Sequence, residues 1–141
     1  MRALPFAALA AAALLVGCGG HKPASPESVV RAWSKAINTG DNEAAASLFA
    51  PGAVVVQVTE TTLATHDEAL QWNEGLPCSG RIESVEVDGE EATAIFVLGG
   101  RPGHYCTGPG QKAAAVFTVH DGKIVLWHEI PVPGSANAPP A

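Results

Sequence analysis

The stretch Val29–Val55, VVRAWSKAINTGDNEAAASLFAPGAVV, changes its periodicity along its length, and that change decides the fold. In its first part Val29, Val30, Trp33, Ala36 and Ile37 recur at helical spacing, which predicts an amphipathic helix with one apolar face. Just upstream, Ser25 can cap that helix and Pro26 suits its first position, while Gly40 ends it. Asp41 is placed to cap a second, short helix carrying Ala45, Leu48 and Phe49, with Pro51-Gly52 as its stop. From Ala53 the run AVVVQVTETTL is rich in β-branched residues and reads as a strand.

Downstream, Thr65-His66-Asp67-Glu68 fits a capping box and opens a third helix. Ala69, Trp72 and Leu76 face inward on it, and Gly75 to Pro77 close it. Four strands follow at about 81–87, 91–98, 113–120 and 123–130. Their hairpin turns fall at Asp88-Gly89 and Asp121-Gly122, dipeptides that supply the positive φ angles of two-residue loops. Between the hairpins lies the glycine-rich loop GGRPGHYCTGPGQ, which matches neither phosphate-cradling glycine pattern and reads as a turning or mobile loop. Helices followed by a mostly antiparallel sheet make an α+β domain over residues 26–132, with a flexible tail at 133–141.

At the other end, Arg2 precedes an apolar run from Leu4 to Val16, which as a helix would reach about 20 Å against the roughly 30 Å of a bilayer core. A basic tip and a short apolar core are the marks of an export signal. Leu15-Val16-Gly17-Cys18 resembles the bacterial lipobox, which implies cleavage of residues 1–17, a diacylated Cys18 and a flexible tether over 18–25. Two acyl chains hold a protein stably at a membrane where one does not. The expected location is therefore the extracytoplasmic face of a bacterial cell membrane. Loss of Arg2 takes the formal net charge from −6 to −7. With that balance, and with Lys and Arg scattered singly, nucleic acid is excluded as a partner.

The opening stretch, with INTGD at a helix break and LFAPGAVV at a first strand, resembles SnoaL-like domains and ketosteroid isomerases of the nuclear transport factor 2-like superfamily. FTVHDGKIVLWHEI is similar to that superfamily's closing hairpin. The resemblance implies a cone: a curved, mostly antiparallel sheet wrapped around three amino-terminal helices, with an apolar pocket at its open end. It also implies a pocket lined by Trp33, Gln57, Phe96, Ala115, Phe117, Trp127 and Glu129, and leaves room for a homodimer through the sheet. On the last strand it puts Val125, Trp127 and Glu129 toward the pocket and Ile124, Leu126 and His128 outward.

Cys78 and Cys106 form an even pair in a chain with an export signal, which favours a disulfide. A bridge at that spacing contributes about 3.5 kcal/mol on the chain-entropy estimate. The alternative, zinc held by Cys78, His104 and Cys106, lacks the paired spacing of structural zinc sites, so no metal is expected, and no cofactor either.

Ketosteroid isomerases carry a tyrosine on the first helix, an aspartate base on the first strand and a second aspartate late in the sheet. The aligned positions here are Trp33, Gln57 and Ala115, none of which titrates near neutral pH, so that isomerase chemistry is excluded. Remaining candidates for acid/base work are His66, Asp67, His104, His120, His128 and Glu129. Asp67 is accounted for by the helix dipole, and His128 and Glu129 point to opposite faces of one strand. Glu129 is then the single candidate, as an inward, desolvated carboxylate beside Gln57, Trp33 and Trp127. Two functions follow: non-catalytic binding of a small apolar ligand or docking at the cell envelope, or acid/base catalysis on a small organic substrate, of cyclase, dehydratase or isomerase type, through Glu129. A second titratable group converging on Glu129 would separate them.

Overall fold

The computed structural model describes residues 19–136. Its elements are α1 (Pro26–Thr39), α2 (Asn42–Ala46), β1 (Phe49–Val56), β2 (Glu60–Leu63), α3 (His66–Glu74), β3 (Ser79–Asp88), β4 (Glu91–Gly99), β5 (Lys112–His120) and β6 (Lys123–Ile130). The strands form one sheet in the order β2-β1-β6-β5-β4-β3, antiparallel except between β1 and β6. This is the expected α+β architecture, with the sheet open at β2 and β3.

Local chemistry starts each helix where expected. The Ser25, Asp41 and Thr65 side chains accept from the amides of Ser28, Ala44 and Glu68 at 3.2, 3.0 and 3.2 Å. Glu68 answers Thr65 by accepting from the Ala64 amide at 2.6 Å, so the reciprocal bond lands one residue ahead of the cap. Gly40 ends α1 at φ 74°, a conformation that costs glycine nothing.

Three boundaries differ from the sequence reading. The short helix stops at Ala46, and Phe49 opens β1, where it is buried against Trp72 at a ring separation of 5.6 Å. Tertiary burial of the ring outweighs the helical spacing that had grouped it with Ala45. The run AVVVQVTETTL is two strands: the chain turns at Gln57–Thr59 and returns as β2, pairing Val56 with Glu60. Only Leu63 of β2 is buried, as suits an edge strand. The first hairpin turns at Gly89-Glu90, one residue later than expected, because Asp88 still pairs with Glu91. Only the first turn residue, Gly89 at φ 60°, needs a positive φ there, whereas Asp121 and Gly122 both do, at 48° and 75°.

Register shifts in the β1/β6, β3/β4 and β5/β6 pairs bend the sheet. The last also corrects the reading of β6. Val119 pairs with Ile124 and Thr118 with Leu126, which leaves Val125 without a partner. One unpaired residue inverts the alternation on its far side. Ile124 is therefore fully buried in the core, not outward, and Val125 is the half-buried bulge residue; beyond it Trp127 lies opposite Phe117, and Glu129 opposite Ala115.

The inner face of the sheet is floored by small residues, Ala92, Ala94 and Ala115, all buried, and this leaves depth for the α1 side chains above them. Trp33 of α1 fills that depth, edge-on to Phe117 at 5.3 Å and to Phe96 at 6.1 Å. At the β3 edge α1 is tied to the sheet through Gly80: its carbonyl accepts from Ser34 Oγ at 2.8 Å and Asn38 Nδ2 at 3.1 Å, and its amide donates to Asn38 Oδ1 at 2.8 Å. At the other end of the strands the incoming chain lies on the β5–β6 turn, so close that a methyl group on Gly122 would stand 3.2 Å from the Ala24 nitrogen.

Candidate functional site

The strand ends remote from the Asp121-Gly122 turn, that of β2 excepted, contribute to one hollow. The ends of β1 and β6 bring Gln57, Trp127 and Glu129; the start of β5 brings Ala113 to Ala115; the end of β4 brings Phe96 and Leu98; the start of β3 brings Ser79 and Gly80. Trp33, Ser34 and Ile37 of α1, with Leu76 to Cys78 after α3, form the opposite wall. Together they enclose a half-open cavity of about 160 Å³. Its walls are mainly aromatic, aliphatic and alanine side chains.

Of the residues expected to line it, Trp33, Gln57, Phe96, Ala115, Trp127 and Glu129 do. Phe117 does not. It is wholly buried beneath Trp33, one layer deeper than the cavity wall. Glu129 also differs from the expectation of a desolvated carboxylate: it is exposed at the cavity mouth, where its Oε2 accepts from Gln57 Nε2 at 3.4 Å. Its place is near the end of β6, at the rim of the hollow.

The other candidate acids and bases lie elsewhere. His66 Nε2 is 2.7 Å from Glu43 Oε1, and the pair is exposed beside a separate hollow between Phe49, Ala69 and Lys123. His104 meets the carbonyl oxygens of Pro102 and Glu74, at 3.0 and 2.7 Å, at the end of α3. His120 lies at the opposite end of the sheet, where its hydrogen bond to Glu90, together with the negative charges of Asp121 and Glu90, raises its pKa. His128 and Asp67 are exposed and do not line the cavity.

Two residues that the sequence did not single out hold the wall in place. Asn73 is fully buried; its Oδ1 accepts from Trp33 Nε1 at 2.9 Å and its Nδ2 donates to the Ala69 carbonyl at 2.8 Å. Arg101, also buried, donates through Nη1 to the carbonyls of Asn73 and Leu76, at 2.8 and 2.6 Å, and through Nη2 to Asn42 Oδ1. Burial lowers the Arg101 pKa and the Glu74 charge partly restores it. A guanidinium remains charged in proteins, so it serves as a cation on the carbonyl end of α3. Asn73 reads as a surface residue by type, and the only hint of Arg101 was a lone cation within a glycine-rich loop. That loop is thus pinned by Arg101 and again by a Cys78–Cys106 disulfide across 28 residues. Neither sulfur is left as a thiolate for the zinc alternative. Trp127 Nε1 is a buried donor with no acceptor among the described residues.

Residues 30–127 match the SnoaL-like domain family. Among curated proteins none matches. Solved structures share the fold. An NTF2-like protein of unknown function from Cytophaga hutchinsonii is 13% identical at a TM-score of 0.62, over 74% of this chain and 88% of that one. A Sinorhizobium meliloti protein assigned to the polyketide cyclases is 23% identical at 0.59, over 72% and 92%. A hypothetical protein with a ketosteroid isomerase-like fold from Catenulispora acidiphila, in complex with trimethylamine, is 20% identical at 0.59, over 79% and 90%.

Proposed function

As the chain belongs to the SnoaL-like domain family, we propose that it uses the family's cone as a binding module for a small apolar ligand, at the outer face of a bacterial cell membrane. One observation carries this reading. Among the described residues that line the cavity, Glu129 is the only titratable side chain. Acid/base catalysis by a lone exposed carboxylate would lack the partner that takes or returns the second proton, which makes binding the better supported of the two functions. The volume suits a ligand of one ring, since an apolar cavity of about 150 Å³ accommodates benzene. The Catenulispora protein's trimethylamine is also within that size.

Occluding the cavity tests the reading. Ala113→Phe places a ring on the cavity wall at a half-buried position, and it is expected to abolish retention of small molecules detected by mass spectrometry of the purified protein. The circular dichroism spectrum should stay that of the parent. Retention of the same molecules by the variant would show that they do not occupy this cavity.

Membrane attachment rests on Leu15-Val16-Gly17-Cys18, which lies outside the described residues. Cys18→Ser is expected to move the protein from the detergent to the aqueous phase on partitioning. A variant that is cleaved normally yet stays in the detergent phase would place the anchor elsewhere. Pairing of two copies through the sheet belongs to the same proposal, supported by Val54, Val116 and Leu126, which remain only half-buried.

A further inference from the structure

The chemistry at the mouth of the cavity narrows the ligand further, on the premise that the cavity binds one. Among the described residues Glu129 is the only charged side chain on the wall, with no Lys, Arg or His beside it there. Among the described residues it forms no ion pair; its one hydrogen bond is the 3.4 Å contact from Gln57. Behind it the wall is apolar and partly aromatic, through Trp33, Phe96 and Trp127. An apolar body entering first would therefore leave its other end beside an unpaired negative charge.

We propose that the ligand is a small amphipathic amine: a single ring or compact alkyl group seated against the wall that Trp33, Phe96 and Trp127 line, with a protonated nitrogen at the mouth donating to the Glu129 carboxylate. Two physical terms favour this polarity. Apolar burial drives the body inward. A hydrogen bond between two ionised groups is about twice as strong as its neutral counterpart, and low-dielectric walls on one side strengthen it further. The carboxylate disfavours an anionic ligand of the same shape by like-charge repulsion.

Benzylamine, benzyl alcohol and benzoate share one ring and differ in the charge at its end, so calorimetric titration of the full chain with each separates shape from charge. Benzylamine is expected to bind about tenfold more tightly than benzyl alcohol, the difference between a charged and a neutral hydrogen bond, and benzoate most weakly. Glu129→Gln should bring the amine to the level of the alcohol. If amine and alcohol bind equally to the parent protein, the inference about charge is overturned while the binding function stands. Were the amine preference to survive Glu129→Gln, the carboxylate would not be its source and the proposal would again fail. Binding of none of the three removes this proposal together with the apolar pocket on which it rests.

Discussion

Trp33→Ala is expected to lower the unfolding free energy by about 3–5 kcal/mol, enough to leave a domain of ordinary stability marginal. The indole is buried on α1 and meets three other rings, Phe117 at 5.3 Å, Phe96 at 6.1 Å and Trp127 at 6.2 Å, so its loss empties the junction of helix and sheet. The alanine floor beneath cannot rise to fill the space. A second cost falls on Asn73, whose Oδ1 loses the Trp33 Nε1 donor at 2.9 Å while remaining buried. Trp33→Phe separates the two effects. It keeps most of the packing and should cost about 1–3 kcal/mol, mainly from the unsatisfied Asn73 oxygen. Urea unfolding midpoints, with unchanged slope, measure both; a change below about 1 kcal/mol for Trp33→Ala would mean that the core does not depend on this ring.

The paired substitution Cys78→Ala with Cys106→Ala is expected to cost about 3.5 kcal/mol, because the bridge closes a loop across 28 residues and so restricts the unfolded chain. The same loop holds β3, β4 and the first part of the glycine-rich segment, and Cys78 itself stands on the cavity wall. Ligand retention should weaken with stability as that wall loosens. Reducing the parent protein with dithiothreitol should reproduce the shift in unfolding midpoint without any change of side chain. If the paired variant and the reduced parent both unfold at the parent's midpoint, the bridge constrains nothing that matters to stability.

Residues whose role is local were legible in the sequence. Ser25, Asp41 and Thr65 cap helices because each needs only a hydroxyl or carboxylate three residues before a free amide. Asp121-Gly122 turns a hairpin for an equally local reason. Phe49 was misplaced because its partners, Trp72 and Ile124, are distant in sequence. The reversal at Gln57–Thr59 carries no glycine or proline, so nothing in the residues themselves announced it. The bulge at Val125 was hidden for a related reason: a run of apolar residues looks the same whether or not one of them has lost its partner. For the candidate site, it was the likeness to SnoaL-like domains that pointed to Trp33, Gln57, Phe96, Ala115, Trp127 and Glu129, which lie on the wall, while the apolar pattern of the strands alone did not decide between faces. Depth was not legible, and Phe117 fell one layer below the wall. Asn73 and Arg101 escaped notice because polar residues are ordinarily solvated, and only three-dimensional structure shows which ones satisfy buried carbonyls and an indole.

The contact of Ala24 with Gly122 sets a direction for the whole domain. Glu129 lies near the far end of β6 from that contact, about 20 Å along the strand. The segment from Gly19 to Ala24 spans at most about 20 Å when extended. On a chain held at Cys18, the β5–β6 turn would thus hover just above the lipid headgroups and the cavity would look the opposite way, like a cup standing on its base. Cargo would then be received from the aqueous compartment and not from the bilayer, and a soluble amine is better suited to that approach than a lipid.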